Sequence, residues 1–193
     1  MSAPEGTDVL KLRPVAKSER ESLFGLLNAP RLQRISMVSG IHRVQRIEWH
    51  DSQRTFAVDA GPVTVGTVDL RQDEDDPETW ELTVVLDSAG QRQGARAGLA
   101  GLFYAFTVLG AESVWFWTPK EQEAVHKFAT RLGFVKLTEV QVPGGATTCT
   151  FELDRDAWET QTAPALGHYL KEPVELTDGH TLWRGEGNGF YEL

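Results

Sequence analysis

The sequence predicts an α+β domain, an α/β/α sandwich in which helices flank a mixed, mostly antiparallel sheet. Three observations predict it. Short runs rich in β-branched and aromatic residues recur with Gly and Pro turns between them. One of them, residues 80–86, leads through the small polar turn Ser88 to Gly94 into an apolar helical run and then another strand, a crossover unit inside an otherwise antiparallel order. The chain has 193 residues, 40% hydrophobic and 24% charged, enough for one domain with an appendage.

The elements follow in order. Residues 9–15 alternate roughly and end near Pro14, as a short strand does. Residues 17–28 are expected to be a helix capped by Ser18, with Glu21 as its capping-box partner. Its apolar stripe is Leu23, Phe24, Leu26 and Leu27, and Pro30 stops it. Ile35, Val38, Ile41, Val44 and Ile47 recur every third residue, which predicts one or two helical stretches broken near Gly40, with Trp49 as the alternative start of a strand. Residues 54–58 and 63–70 are two strands around Asp59-Ala60-Gly61-Pro62. Residues 95–109 form a nearly all-apolar helix in which Gly98 and Gly101 permit close approach to the sheet. A strand at 114–118 precedes a helix opened by Pro119, running to Arg131 and stopped by Gly133. Residues 134–142 and 147–153 form a closing hairpin.

Residues 1–155 thus make the domain, and 156–193 leave its pattern. This C-terminal extension carries Trp158, Tyr169, Trp183, Phe190 and Tyr191, too many aromatics for a disordered tail. It is expected to pack on its own domain or on a partner, a homo-oligomer or larger assembly.

Composition narrows the function. The net charge is −9, against a surface built throughout for nucleic acid. The charge is uneven: residues 9–56 carry nine Lys/Arg and four Asp/Glu, which leaves −14 for the remainder. Arg31, Arg34, Arg43 and Arg46 read as a solvated helix face or as a patch for an anionic partner. The longest uncharged stretch, residues 97–111, is too short to span a bilayer, and the N-terminus lacks the apolar region of a signal peptide. The lone Cys149 excludes an internal disulfide and fits a cytoplasmic compartment. No two histidines share a metal-ligand spacing with a carboxylate, so no metal is expected.

Four segments carry a resemblance: LRPVAKSERESLFGLL, the hairpin VDAGPVTVGTVDL, the turn VVLDSAGQRQGARAGL, and RLGF, in that order across residues 10–153. The sequence resembles the GCN5-related N-acetyltransferases (GNAT). The resemblance implies an enzyme that moves an acetyl group from acetyl-CoA to the primary amine of a small molecule or protein. In that family a Gln/Arg-x-x-Gly-x-Gly/Ala turn cradles the CoA pyrophosphate on main-chain N–H groups at a helix N-terminus. Gln91 and Gly94 match its first two positions, and Arg96 stands where Gly or Ala is expected. Arg96 either crowds the phosphate or adds a charge-assisted contact to it. A plain strand-to-helix turn is the alternative.

The implied cofactor-binding set is Val84, Leu86, Gln91, Arg92, Gln93, Gly94, Ala95 and Arg96. The main chain of Leu86 faces the acetyl carbonyl as an oxyanion contact. Glu81, on the same strand face as Thr83 and Val85, is the candidate base, with an exposed strand carboxylate as the alternative. The family's tyrosine acid is matched by Ala129, and His126 is a solvated helix residue or a stand-in donor. Trp115 and Trp117 share one strand face and read as sheet packing. The departures at Arg96 and Ala129, with the aromatic extension, leave a second possibility: a catalytically degenerate module with a structural or assembly role, such as a component of a viral particle or protein complex.

Overall fold

A computed structural model describes residues 9–27, 49–87, 90–141 and 145–193. In chain order the elements are β1 (Leu10–Pro14), α1 (Arg20–Leu27), β2 (Trp49–His50), β3 (Gln53–Ala60), β4 (Val63–Gln72) and β5 (Thr79–Leu86). Then come α2 (Gly94–Phe103), β6 (Ser113–Pro119), α3 (Glu123–Arg131), β7 (Val135–Gln141) and β8 (Thr147–Asp154). The extension holds α4 (Arg155–Ala157), α5 (Ala163–Tyr169), β9 (Val174–Thr177), β10 (Leu182–Glu186) and β11 (Gly189–Glu192).

One sheet runs through the molecule in the order β11-β10-β9-β1-β3-β4-β5-β6-β8-β7, with β2 on the end of β3. Its neighbours are antiparallel except for β1 with β9 and β5 with β6. The mixed sheet and its flanking helices are the α+β architecture that the sequence predicts. Leu82, Val84 and Leu86 of β5 face α2, whose glycines let the helix lie close. A Cβ on Gly101 would stand 2.8 Å from Leu82 Cδ1 and 2.9 Å from Val68 Cγ1, so the backbone there substitutes for a side chain. The main core gathers on this side around Phe56, Leu70, Leu99, Leu102 and Phe106. Each such buried side chain stabilises the fold by about 1.5–3 kcal/mol. A smaller cluster of Val15, Leu23, Ala57 and Val85 lies against the opposite face of the sheet.

Several expectations need correction. The helix of residues 17–28 begins as a 3₁₀ turn, Lys17–Glu19, and Glu19 rather than Glu21 closes it, accepting from the Ala16 N–H at 3.0 Å. Pro119 ends β6, and helix α3 starts only at Glu123, because Lys120 N–H pairs with Thr147 O (2.9 Å) and holds that turn to the sheet. The long apolar helix widens into a π turn over Tyr104–Val108. The recurring isoleucines and valines of residues 35–47 and the basic pairs Arg31/Arg34 and Arg43/Arg46 lie outside the described residues.

The extension does continue the sheet. β9 pairs in parallel with β1, Leu10 opposite Val174, and β10 and β11 follow as a hairpin. Its aromatics pack on the α2 side: Phe190 stacks on Phe103 with centroids 4.4 Å apart, and Trp183 meets Tyr104 edge-on at 5.8 Å. Trp158, on a π turn between α4 and α5, stacks on Phe106 at 5.0 Å.

Candidate functional site

Strands β5 and β6 are paired over three residues only, Thr79 with Ser113, Trp80 with Val114 and Glu81 with Trp115. Beyond Glu81 and Trp115 they part, although β5 runs on to Leu86 and β6 to Pro119. On its other side β5 stays paired with β4 as far as Leu86. Only alternate main-chain groups of Leu82–Leu86 serve that ladder, so the rest face the gap. Between the parted strands lies a cleft of about 780 Å³. Gly94, Ala95 and Gln122 stand at its mouth, and Leu102, Leu132 and Phe134 at its floor. Thr83, Val85 and Trp117, from the opposite face of the sheet, also line it, so the opening passes between the strands.

The turn at the mouth is built by local chemistry. Asp87 accepts the Gly90 N–H on both its carboxylate (2.9 Å) and its main-chain oxygen (3.1 Å), and Gln93 N–H returns to Gly90 O at 2.8 Å. Gly90 must be small, since a Cβ there would meet Val65 at 2.8 Å. Helix α2 then starts at Gly94 with no side-chain cap from Gln93. A 3₁₀ turn over Gln91–Gln93 runs straight into it, so the positive end of the helix dipole lies at this turn with no capping side chain from Gln93.

Of the expected cofactor set, Val84, Leu86, Gly94 and Ala95 line the cleft. Arg92 is exposed and Gln93 half-buried beside it. The side chain of Gln91 lies outside the described residues. Arg96 follows neither course expected of it. Its side chain is 7% exposed and turns away into the extension, where it pairs with Glu172 at 2.9 Å and donates to Pro173 O at 3.4 Å. It also donates to Gln93 Oε1 at 2.9 Å. The Arg96 guanidinium is thus held against the extension and Gln93, while its main-chain N–H remains part of the first helical turn.

Glu81 is buried rather than an exposed strand carboxylate, at 5% exposure, and is ion-paired with Arg71 across the β4–β5 ladder. Sequence reasoning missed its neighbour Asp69. That carboxylate sits opposite Thr83 on the same sheet face as Glu81 and accepts from Thr55 Oγ1 and from Gln53 Nε2 at 3.1 Å. Burial pushes its pKa above the usual aspartate range, against the two hydrogen bonds; Glu81 adds to the rise and Arg71 opposes it. The signal was an acid at an inward position of the β-rich run VTVGTVDL.

Ala129 and Phe128 line the cleft without a proton donor. His126 Nε2 donates to Pro119 O (3.1 Å) and the ring packs against that of Phe151, as a half-buried structural residue. Among the described residues no group of three His, Cys, Asp or Glu is placed to hold a metal, and no helix is long and apolar enough to cross a membrane.

A family model described as an acetyltransferase (GNAT) domain matches residues 10–135. The chain belongs to the GNAT acetyltransferase family. No curated protein matches it. Solved structures share the fold of this GNAT chain at low identity. A putative acetyltransferase from T. thermophilus is 20% identical, with 84% of this chain and 96% of that one covered and a TM-score of 0.60. A probable GNAT-family acetyltransferase from Chromobacterium violaceum is 20% identical over 83% and 97%, at 0.61. A spermidine N-acetyltransferase SpeG chimera from Vibrio cholerae and hSSAT is 13% identical over 79% and 99%, at 0.63.

Proposed function

We propose that this GNAT chain transfers an acetyl group from acetyl-CoA to a primary amine. The observation that carries the proposal is the early end of the β5–β6 pairing beside the uncapped start of α2. The site fits the donor. The first-turn N–H groups of Gly94, Ala95 and Arg96 suit a pyrophosphate, with Arg92 exposed nearby. The free edge of β5 suits the amides of the pantetheine arm, along Val84 and Leu86. The four steps from Leu86 back to Leu82 span about 13 Å of strand, room for an extended arm to carry its thioester deep into the cleft.

A main-chain N–H at the inner part of this edge stabilises the oxyanion of the tetrahedral intermediate, since a thioester carried toward Leu82 has passed Leu86, the residue expected to make that contact. The amine enters past Thr83 and Trp117 from the opposite face of the sheet, the face on which Glu81 lies. Acetyl transfer forms the C–N bond and releases CoA as thiolate. Spermidine, the acceptor named for the SpeG structures, is one amine to try.

Isothermal titration with acetyl-CoA, followed by thiol release with spermidine, n-butylamine and a lysine peptide, tests the proposal. Micromolar donor affinity and amine-dependent thiol release are expected. No donor binding at millimolar concentration overturns it.

A further inference from the structure

The cleft poses a proton problem. An alkylamine reaches a protein at neutral pH as an ammonium and must lose a proton to attack. Among the described residues that line the cleft, none is a carboxylate, histidine, cysteine, tyrosine or lysine; the polar side chains are hydroxyls, an indole and Gln122. The proton acceptor must therefore stand just behind the lining.

We propose that Asp69 takes the amine's proton at the opening between Thr83 and Trp117. Cross-strand register places Asp69 directly opposite Thr83, a cleft-lining residue, and such partners have Cβ atoms about 5 Å apart on one face. Two facts favour it over Glu81. Glu81 is 5% exposed and locked to Arg71, whereas Asp69 keeps part of its surface open. The hydrogen-bond donors on Asp69 are neutral, Thr55 and Gln53, and both leave its Oδ2 nearly unused: Gln53 reaches it only at 3.4 Å. Glu81 becomes a positioning residue whose charge, shared with Arg71, adjusts a proton affinity that burial of Asp69 raises.

The step balances. The ammonium first yields one proton to Oδ2 across water; the freed amine nitrogen bonds to the thioester carbon, the C–S bond breaks with its electron pair on sulfur, and the second nitrogen proton passes to solvent. Solvent protonates the thiolate and Asp69 releases its proton to solvent.

This inference rests on the transfer reading. Its test compares wild type, Asp69→Asn and Glu81→Gln for acetyl-CoA affinity and for the pH profile of amine-dependent thiol release with the same three amines. Arg71 and Glu81 are the charged groups that the described residues bring against Asp69. Asp69→Asn is expected to lower kcat by about 100-fold or more, with acetyl-CoA affinity within twofold and the acidic limb of the profile lost. Glu81→Gln should move that limb to lower pH, since a like charge is removed and Arg71 is freed. Unchanged kcat and an unchanged limb in Asp69→Asn overturn the inference and leave the transfer reading standing. Absence of thiol release with every amine in the wild type counts against transfer itself, and this inference falls with it.

Discussion

Arg96 and Glu172 form a 2.9 Å ion pair that ties the first turn of helix α2 to the bend just before β9. The arginine is buried and the glutamate 59% exposed, so the pair is asymmetric. Removing Glu172 leaves a buried guanidinium without its carboxylate, while removing Arg96 leaves a carboxylate that water can serve. Glu172→Ala and Arg96→Ala should each cost about 1–3 kcal/mol, read by urea unfolding. Arg96→Ala should change acetyl-CoA affinity by less than about threefold, under 1 kcal/mol. A large loss of donor affinity would return Arg96 to the phosphate site.

The two glycines of α2 separate packing from binding. At Gly101 a Cβ clashes with Leu82 and Val68, whereas at Gly98 the nearest atom, Val84 Cγ2, is 4.0 Å away and the position lines the cleft. Gly101→Ala is therefore expected to cost about 1–3 kcal/mol of stability. Gly98→Phe should leave the melting temperature within a few degrees yet weaken acetyl-CoA about tenfold or more, roughly 1.4 kcal/mol. Titration and thermal melts on the same two variants check both halves.

These contrasts mark what the sequence could and could not disclose. The strand, turn and helix from Thr79 to Phe103 were legible, because β-branched residues, a small polar turn and an apolar run are each local signals. The parting of β5 and β6 was not readable from residue types, since main-chain pairing leaves no mark on side-chain alternation. The role of Arg96 depended on Glu172, a contact 76 positions away that no local pattern encodes. β9 to β11 were missed for the same reason: their first strand pairs with β1 at the far end of the chain. Asp69 was hidden differently. Alternation placed it on a face, but the burial of that face depends on neighbours from β3 and β5.

The extension's hold on the domain can be tested at a single contact. Gly185 lies under the Phe190 ring: a Cβ there would stand 2.5 Å from Phe190 Cε1, and the same ring stacks on Phe103. Phe190→Ala and Gly185→Val should each destabilise by about 2–4 kcal/mol. The double variant should cost less than the sum, because valine at 185 loses its clash once the ring is gone. Strict additivity in chemical denaturation would mean that the ring does not occupy this position.

The last expectation concerns stability against pH. Burial raises the pKa of Asp69 in the folded chain above its unfolded value, so the protonated form is favoured by folding. The stabilisation this group offers is fully present below the unfolded pKa, near about 3.9, and is lost as pH rises through the folded pKa. At pH 7 an ionised Asp69 is thus a liability. Asp69→Asn keeps an oxygen to accept from Thr55 and removes the charge, so the variant should melt higher than wild type at pH 7. Each kcal/mol relieved is worth about 2–4 °C in a chain of this size. The advantage should shrink as pH falls through the raised pKa of Asp69, where the wild-type carboxylate takes up its proton. Melting curves across pH 4–8 decide it: a variant less stable than wild type throughout would mean that the carboxylate contributes more through its hydrogen bonds than it costs in burial.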